Sequence, residues 1–311
     1  MYNRAVSGTF SPGSTFKMAV ALAGLKNGAI TEDELIRDDG EYKYGYHPKC
    51  WIYDRYGLTH GLINVSTAIQ VSCNCFFYEV GRRTGIEGII EMAEKLGLDS
   101  KTGVEVPGER EGNIAGKGMN EWYLGDTLSA SIGQSYNSYT PIAMARYIAA
   151  LANGGIVKKL TLIKNIESSE EDEENLSQSK IDDYIEKITG VKNEEYKLDV
   201  THRQLEAVRS GMLAVTSVGG TSYNVFKDMD IKVAGKTGTA EVTSGSSNGI
   251  FVGFAPYDKP EIAVIAVIEH GGEGTYVANV VRPIMDEYFK LASEERTNEK
   301  NQNIQSGNVE F

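Results

Sequence analysis

The sequence Ser-Pro-Gly-Ser-Thr-Phe-Lys at residues 11–17 constrains the fold of this chain more than any other stretch. A Pro-Gly turn leads into apolar residues at helical spacing, which predicts a helix that begins at Ser14 and ends near Asn27. Residues three apart share one face of a helix, so the Lys17 amine is expected to reach the Ser14 hydroxyl. A lysine whose pKa is lowered by burial or by nearby charge can remove a proton from a serine. The pattern therefore indicates nucleophilic catalysis, with a simple helix-capping serine as the alternative.

Two further short motifs follow, Ser72-Cys73-Asn74 and Lys236-Thr237-Gly238-Thr239. Ser-x-x-Lys, Ser-x-Asn and Lys-Thr-Gly, in this order, are the motifs of penicillin-binding proteins and serine β-lactamases. Additional matches lie at Asn3-Arg4-Ala5, Gly133-Gln134, Thr140-Pro141 and Gly253-Phe254-Ala255-Pro256. Over residues 3–290 the chain resembles the transpeptidase domain of class B penicillin-binding proteins.

The resemblance implies an α/β fold of the α+β type, in which helices flank a central antiparallel sheet, as in serine penicillin-recognising enzymes. The β-branched runs at 231–234, 250–254 and 262–268 predict three strands. In that family, strands of the sheet precede the Ser-x-x-Lys helix. We therefore expect a sheet edge that is either missing or supplied by another segment.

Helical periodicity and end signals predict a helix that begins near residue 65, followed by a short loop that carries the Ser-x-Asn motif. Further helices are predicted at 75–83, 86–96, 141–153, 202–215 and 280–291. Residues 29–60 and 101–126 are rich in turn-forming residues and are expected to be mostly loop. We expect one transpeptidase domain over residues 1–291, with an acidic surface insertion at 167–197 and a polar, disordered tail at 292–311.

By this resemblance, the catalytic residues are Ser14, Lys17 and Ser72. Ser14 is expected to attack the peptide carbonyl, Lys17 to act as the general base, and Ser72 to relay a proton to the leaving amine. Lys236 is expected to help lower the pKa of Lys17 through its positive charge.

The resemblance also implies a set of substrate-binding residues, Asn74, Lys236, Thr237, Gly238 and Thr239. Asn74 is expected to bind the substrate amide and to help fix Lys17. Lys236 and the two threonine hydroxyls are expected to bind the terminal carboxylate, while Gly238 lets the backbone approach the ligand. The oxyanion hole is expected to consist of the backbone N–H groups of Ser14 and Thr239.

The implied activity is that of a peptidoglycan D,D-transpeptidase that cross-links stem peptides ending in D-Ala-D-Ala. It proceeds through an acyl-serine and is covalently inhibited by penicillin and other β-lactams. A D,D-carboxypeptidase, a β-lactamase and a β-lactam sensor domain are the alternatives.

The composition bears on partners and location. The net charge of -12 argues against a nucleic-acid partner. Neither a signal peptide nor an apolar run of membrane-spanning length is visible in the sequence. The resemblance places such proteins at the extracytoplasmic face of the bacterial membrane, so we expect a soluble fragment without its membrane anchor. It also implies a glycosyltransferase partner for the full-length protein.

The cysteines suggest a metal site formed by Cys50, Asp54, His60 and Cys73, with Cys75 as a substitute for Cys73. Two thiolates, a carboxylate and an imidazole make a four-coordinate set suited to structural zinc. Some members of the resembled family bind zinc through Asp, His and Cys near the Ser-x-Asn motif. A Cys50–Cys73 or Cys50–Cys75 disulfide and buried free thiols are the alternatives.

Overall fold

The computed structural model describes residues 2–163, 183, 186–187 and 195–305. Its α-helices are α1 Arg4–Ser7, α2 Lys17–Lys26, α3 Trp51–Tyr56, α4 Val65–Gln70, α5 Asn74–Lys95, α6 Leu124–Ser131, α7 Pro141–Ala152, α8 His202–Thr216, α9 Tyr223–Phe226 and α10 Gly274–Gln305. Its strands are β1 Ile36–Asp38, β2 Gly61–Ile63, β3 Ile156–Val157, β4 Tyr196–Lys197, β5 Ala234–Ala240, β6 Asn248–Ala255 and β7 Ile262–Ile268.

The main sheet has the order β5-β6-β7 and is antiparallel throughout. Helix α10 packs along β6 and β7 on one side, whereas α8 and α7 contact β5 and β7. The predicted antiparallel sheet with flanking helices is therefore confirmed. Two short two-stranded sheets, β1-β2 and β3-β4, lie outside it.

The first predicted strand is wrong in its position. Pairing with β6 begins at Ala234, opposite Phe254, and continues to Ala240, so the strand begins three residues later than the run at 231–234 and carries the Lys-Thr-Gly motif. The sequence Ala-Gly-Lys-Thr-Gly-Thr-Ala has little intrinsic preference for strands. Its extended form depends on pairing with the fully buried β6, which is tertiary context that local propensity does not carry.

Helix α2 occupies the centre of the molecule. Every residue from Lys17 to Leu25 is buried, and the helix packs mainly against α5. Small residues permit this close packing: a Cβ on Gly24 would lie 2.6 Å from Val80. A helix that is buried on all sides is expected to be apolar on all sides. Lys17, at the first position of α2, is the one charged residue among its buried residues.

Other helices match their predictions to different degrees. α4, α7 and α8 lie where they are expected, and Thr201 with Gln204 forms the anticipated capping box of α8. The helices expected on either side of residue 85 form one element, α5, with a break at Gly85 (φ +74°).

The last helix begins earlier than predicted, at Gly274, and Pro283 lies inside it. Its first turns contain glycine and β-branched residues, which have low helix propensity, so the sequence did not indicate this start. The segment 292–305 of the predicted tail continues the helix. Most of the predicted acidic insertion at 167–197 lies outside the described residues. Among the helices that are described, none has the length and apolar character needed to cross a membrane.

Candidate active site

The turn that carries Ser14 packs between two other segments of the chain. It is a 3-10 helix, Gly13–Phe16, that runs directly into α2. The Gly13 N–H donates to the carbonyl of Gly133 over 3.0 Å. Gly13 has φ +51°, and a Cβ there would lie 2.5 Å from the carbonyl oxygen of Thr239. Glycine is therefore required for the turn to approach β5, and Ser14 is left half-buried.

The Lys17 amine connects the first motif to the second. Its Nζ lies 2.9 Å from the carbonyl oxygen of Ser72, 3.3 Å from Ser72 Oγ and 2.6 Å from Asn74 Oδ1. These acceptors occupy the three N–H bonds of an ammonium group. The amine therefore bonds to the Ser-x-Asn motif, and the described residues show no hydrogen bond between it and Ser14 Oγ. The predicted contact between Asn74 and Lys17 is present.

Burial lowers the pKa of Lys17 to about 8, against an opposing effect of the nearby Cys50, Cys73 and Cys75. Burial also holds the pKa of Lys236 well below its usual value, and repulsion from Lys17 adds to this. Lys236, which was expected to help lower the pKa of Lys17, is not among the causes of this shift: loss of water around the Lys17 amine lowers it.

The Ser-x-Asn motif forms the short turn between α4 and α5, as predicted. Ser72 has φ +55°, a left-handed conformation that is uncommon for a residue with a Cβ. Cys73 then caps α5, because its Sγ accepts a hydrogen bond from the Phe76 N–H over 3.4 Å. Strained backbone of this kind persists where the surrounding contacts enforce it, and it is concentrated at functional sites.

The Lys-Thr-Gly motif lies on β5, at one edge of the main sheet. Side chains alternate along a strand, and burial follows this alternation. Lys236 is completely buried and its Nζ donates to the carbonyl of Thr237 over 3.1 Å. Thr237 is half-buried and Thr239 is exposed on the opposite face. Direct contact between Lys236 and a substrate carboxylate, as predicted, does not fit this burial.

Gly238 has a role in packing that the sequence analysis did not anticipate. A Cβ at this position would lie 2.8 Å from Thr15 Cγ2 and 2.9 Å from the carbonyl oxygen of Pro12. The glycine therefore lets β5 approach the turn of Ser14, in addition to any approach of a ligand. This contact brings the first and third motifs together.

A second group of reactive side chains lies beside the Ser-x-Asn turn. Potential ligand atoms of Asp38, Cys50, His60 and Cys73 all lie within 4.8 Å of one another. Cys50 Sγ is 3.6 Å from His60 Nδ1 and 3.9 Å from Cys73 Sγ, while Cys73 Sγ is 3.3 Å from Asp38 Oδ2. His60 Nδ1 and Asp38 Oδ2 are 2.6 Å apart. Three of the four predicted ligands are thus brought together.

Asp54 was the wrong carboxylate for this group. It lies exposed on α3, one turn after Cys50, and its N–H bonds to the Cys50 carbonyl. Asp38 takes its place because β1 pairs with β2 and sets Asp38 opposite Gly61, next to His60. The three cysteines are free thiols, and the sulfurs of Cys50 and Cys73 are too far apart for the bond length of about 2.05 Å in a disulfide.

Comparison with known proteins agrees with this geometry. The family model described as the penicillin binding protein transpeptidase domain matches residues 1–286. The chain belongs to this family.

Several relatives of this transpeptidase domain are known. It is 30% identical over 310 residues to the peptidoglycan D,D-transpeptidase MrdA of Escherichia coli K12, covering 92% of this chain and 46% of that protein. The chain thus spans about half the length of the curated relatives it matches. In three dimensions it is similar to Pseudomonas aeruginosa PBP2 in complex with WCK 5153 (TM-score 0.78, 30% identity, covering 92% of this chain and 62% of that one).

A further similar structure is the Helicobacter pylori complex between PBP2 and MreC, with a TM-score of 0.78 and 28% identity. It matches 93% of this chain and 51% of that chain.

Two residues of this site were not predicted from the sequence. Asp38 is separated from its cluster by a loop, and only the β1-β2 pairing brings it back. Thr221 contacts Thr237, with 3.1 Å between their Oγ1 atoms. No short-range spacing links either residue to the motifs. A carboxylate in the loop-rich 29–60 segment was the one available signal, and proximity in sequence to Cys50 favoured Asp54 over Asp38.

The packing of Gly238 gives a testable expectation for stability. Gly238→Ala should lower the free energy of unfolding by about 1–3 kcal/mol, because the new methyl group meets backbone and side-chain atoms that cannot retreat freely. Urea unfolding followed by circular dichroism measures this. Gly125→Ala is the matched control: it lies in α6, has room for a Cβ, and should leave stability unchanged or slightly raised. Equal stability of both variants would contradict the packing argument.

Proposed function

We propose that this domain is a peptidoglycan D,D-transpeptidase that acts through an acyl-enzyme on Ser14. The observation that carries the proposal is the buried Lys17 amine, one turn after Ser14, held by Ser72 and Asn74. A serine next to an amine of lowered pKa, with a second hydroxyl in contact with that amine, is suited to acyl transfer. The names of the relatives at about 30% identity support the same activity.

The chemistry begins with a neutral Lys17 amine, which removes the Ser14 hydroxyl proton as the oxygen attacks the penultimate D-Ala carbonyl. The new C–O bond forms, the peptide C–N bond breaks, and D-Ala leaves after its nitrogen gains a proton. Ser72 Oγ, 3.3 Å from Lys17 Nζ, is placed to pass that proton from Lys17 to the leaving amine. The amine of a second stem peptide then attacks the acyl-serine by the reverse steps.

Substrate binding is proposed along the outer edge of β5. The hydroxyls of Thr237 and Thr239 bind the terminal carboxylate, whereas Lys236, whose pKa is held well below its usual value by burial, lies beneath the strand. Asn74 uses its Oδ1 for Lys17, so its Nδ2–H groups are available for the substrate amide. Backbone N–H groups of Ser14 and Thr239 form the proposed oxyanion hole.

The wider setting is proposed from the same family. We place the domain at the extracytoplasmic face of the membrane, within a longer membrane-anchored protein that works with a glycosyltransferase. A similar structure is described as showing structural coordination of polymerization and crosslinking by a peptidoglycan synthase complex, at 29% identity and a TM-score of 0.75. That description supports the pairing of cross-linking with glycan polymerisation.

The acyl-serine can be observed directly. Intact-protein mass spectrometry after incubation with a penicillin should show a persistent gain of one drug molecule, and Ser14→Ala should show none. Drug hydrolysis without a persistent adduct would instead identify a β-lactamase. A persistent adduct on a protein that never processes a thioester analogue of the stem peptide would identify a sensor.

The acylation rate should depend on pH through Lys17. Its neutral form is the base, and this form predominates above its pKa of about 8. The second-order acylation constant should therefore fall roughly tenfold per pH unit below that value and level off above it. The charged and titratable groups around the amine are Lys236, Cys50, Cys73 and Cys75. A constant rate between pH 6 and pH 9 would rule out Lys17 as the base.

We also propose a structural zinc ion held by Asp38, Cys50, His60 and Cys73. Ideal tetrahedral zinc places two sulfurs about 3.8 Å apart and a sulfur and a nitrogen about 3.6 Å apart. The sulfur–sulfur and sulfur–nitrogen distances here, 3.9 Å and 3.6 Å, fit this geometry. His60 Nδ1 and Asp38 Oδ2, 2.6 Å apart, are at hydrogen-bond distance and would have to separate to bind the same ion. The ion would neutralise adjacent thiolates and join the 36–63 segment to the Ser-x-Asn turn. The acyl transfer itself needs no metal.

Metal analysis of protein purified without added metal should find about one zinc per chain. Asp38→Asn and Cys50→Ser should lower zinc content and stability, since metal binding contributes to folding. Asp54→Asn is the matched control and should retain zinc, because Asp54 lies exposed outside the cluster. Zinc loss in Asp54→Asn but not in Asp38→Asn would reverse the assignment, and absence of zinc from the wild type would refute it.

A further inference from the structure

The loop after α8 places Thr221 against the Lys-Thr-Gly strand. Oγ1 of Thr221 lies 3.1 Å from Oγ1 of Thr237, so the two hydroxyls share one hydrogen bond, and either can be its donor. None of the three motifs contains Thr221. Its partner Thr237, however, is one of the two hydroxyls proposed to meet the substrate carboxylate.

The backbone of this loop fixes the position of Thr221. Gly219 has φ +82°, a conformation that favours glycine. A Cβ on Gly220 would lie 2.2 Å from the carbonyl oxygens of both Ala214 and Val215, so only glycine fits there too. Just after Thr221, the Ser222 N–H donates to the Val215 carbonyl over 2.9 Å. The loop is therefore folded back on the end of α8, with Thr221 directed to β5.

The two carboxylate-binding threonines differ in what surrounds them. Thr239 Oγ1 lies 3.4 Å from the backbone N–H of Gly274, which can only donate. The Thr239 hydroxyl proton is thus available for a ligand. Thr237 instead faces another hydroxyl, so its own proton can point either to Thr221 or to the ligand.

We infer that Thr221 is a positioning residue that donates to Thr237 and so turns the Thr237 hydroxyl proton toward the terminal carboxylate of the substrate. If Thr237 donated to Thr221, it would present only lone pairs to the anion, which repels them. With Thr221 as donor, the Thr221 hydroxyl donates to Thr237 and the Thr237 hydroxyl donates to the carboxylate. Each hydrogen bond then contains one proton and polarises the next. This inference rests on the proposed function and extends it to the recognition of the carboxylate.

The test compares ligands with and without the carboxylate. Second-order acylation constants are measured for benzylpenicillin and for its methyl ester, on wild type, Thr221→Val and Thr221→Ser. Thr221→Val should lower the constant for the free acid about fivefold, the scale of one hydrogen bond, and leave that for the ester unchanged. Thr221→Ser keeps the hydroxyl and should restore the preference of the wild type for the acid.

Ser217→Ala is the matched control, since it removes a hydroxyl of the same loop that, within the described residues, bonds to the Leu213 carbonyl alone. Its ratio of acid to ester constants should equal that of the wild type. Thr221→Ala repeats the test in a second variant, and thermal melting shows that each variant is folded. If Thr221→Val lowers the acylation constants for the acid and the ester equally, or lowers neither, the inference is overturned and Thr221 has only a packing role.

The outcome also separates this inference from the proposed function. A wild type acylated by neither ligand would contradict the proposed function. In that case, calorimetric binding of N-acetyl-D-Ala-D-Ala and its C-terminal amide decides the role of Thr221. Equal preference for the acid in wild type and Thr221→Val would then overturn the positioning role, and a preference lost only in Thr221→Val would support it.

Discussion

The arrangement of the site depends on one buried amine. Lys17 begins a helix that is otherwise apolar on all sides, and an unpartnered ammonium at that depth would be strongly unfavourable. The backbone carbonyl and hydroxyl of Ser72 and the amide oxygen of Asn74 supply its acceptors. Because these acceptors come from a turn far away in sequence, satisfying the lysine also fixes that turn against α2. The same burial lowers the pKa of the amine, so one cause produces both the geometry and the reactivity.

Close backbone approach brings the third motif to the first two. Gly13 and Gly238 lie at the contact between the Ser14 turn and β5, and neither position has room for a Cβ. The strand that results has little intrinsic strand preference and is held by pairing with β6 along its whole length. Site geometry therefore depends on the sheet and on two glycines more than on local propensity.

The sequence predicted the parts of this site that depend on local interactions, and it did not predict those that depend on contacts between residues distant in sequence. Short motifs identified Ser14, Lys17, Ser72 and Asn74, because each motif encodes a local turn or helix start. The direction of the Lys17 amine was not predictable, since helical spacing shows which residues share a face but not which distant acceptors compete for the side chain. The choice between Asp54 and Asp38 failed for a related reason: proximity in sequence favoured Asp54, whereas antiparallel pairing of β1 and β2 selected Asp38.

The Ser-x-Asn turn also explains why the cluster of Asp38, Cys50, His60 and Cys73 belongs to the same structural unit as the catalytic residues. Cys73 lies between the two residues that hold Lys17, and its thiol caps α5. The 36–63 segment has a second link to the rest of the domain, an ion pair of 2.7 Å between Arg55 and Glu273, the residue before α10. Both partners of that pair are about half exposed, and exposed pairs contribute only about 0–1 kcal/mol. The buried cluster is therefore the stronger connection, and any change in its bonding acts on the turn that positions the catalytic lysine.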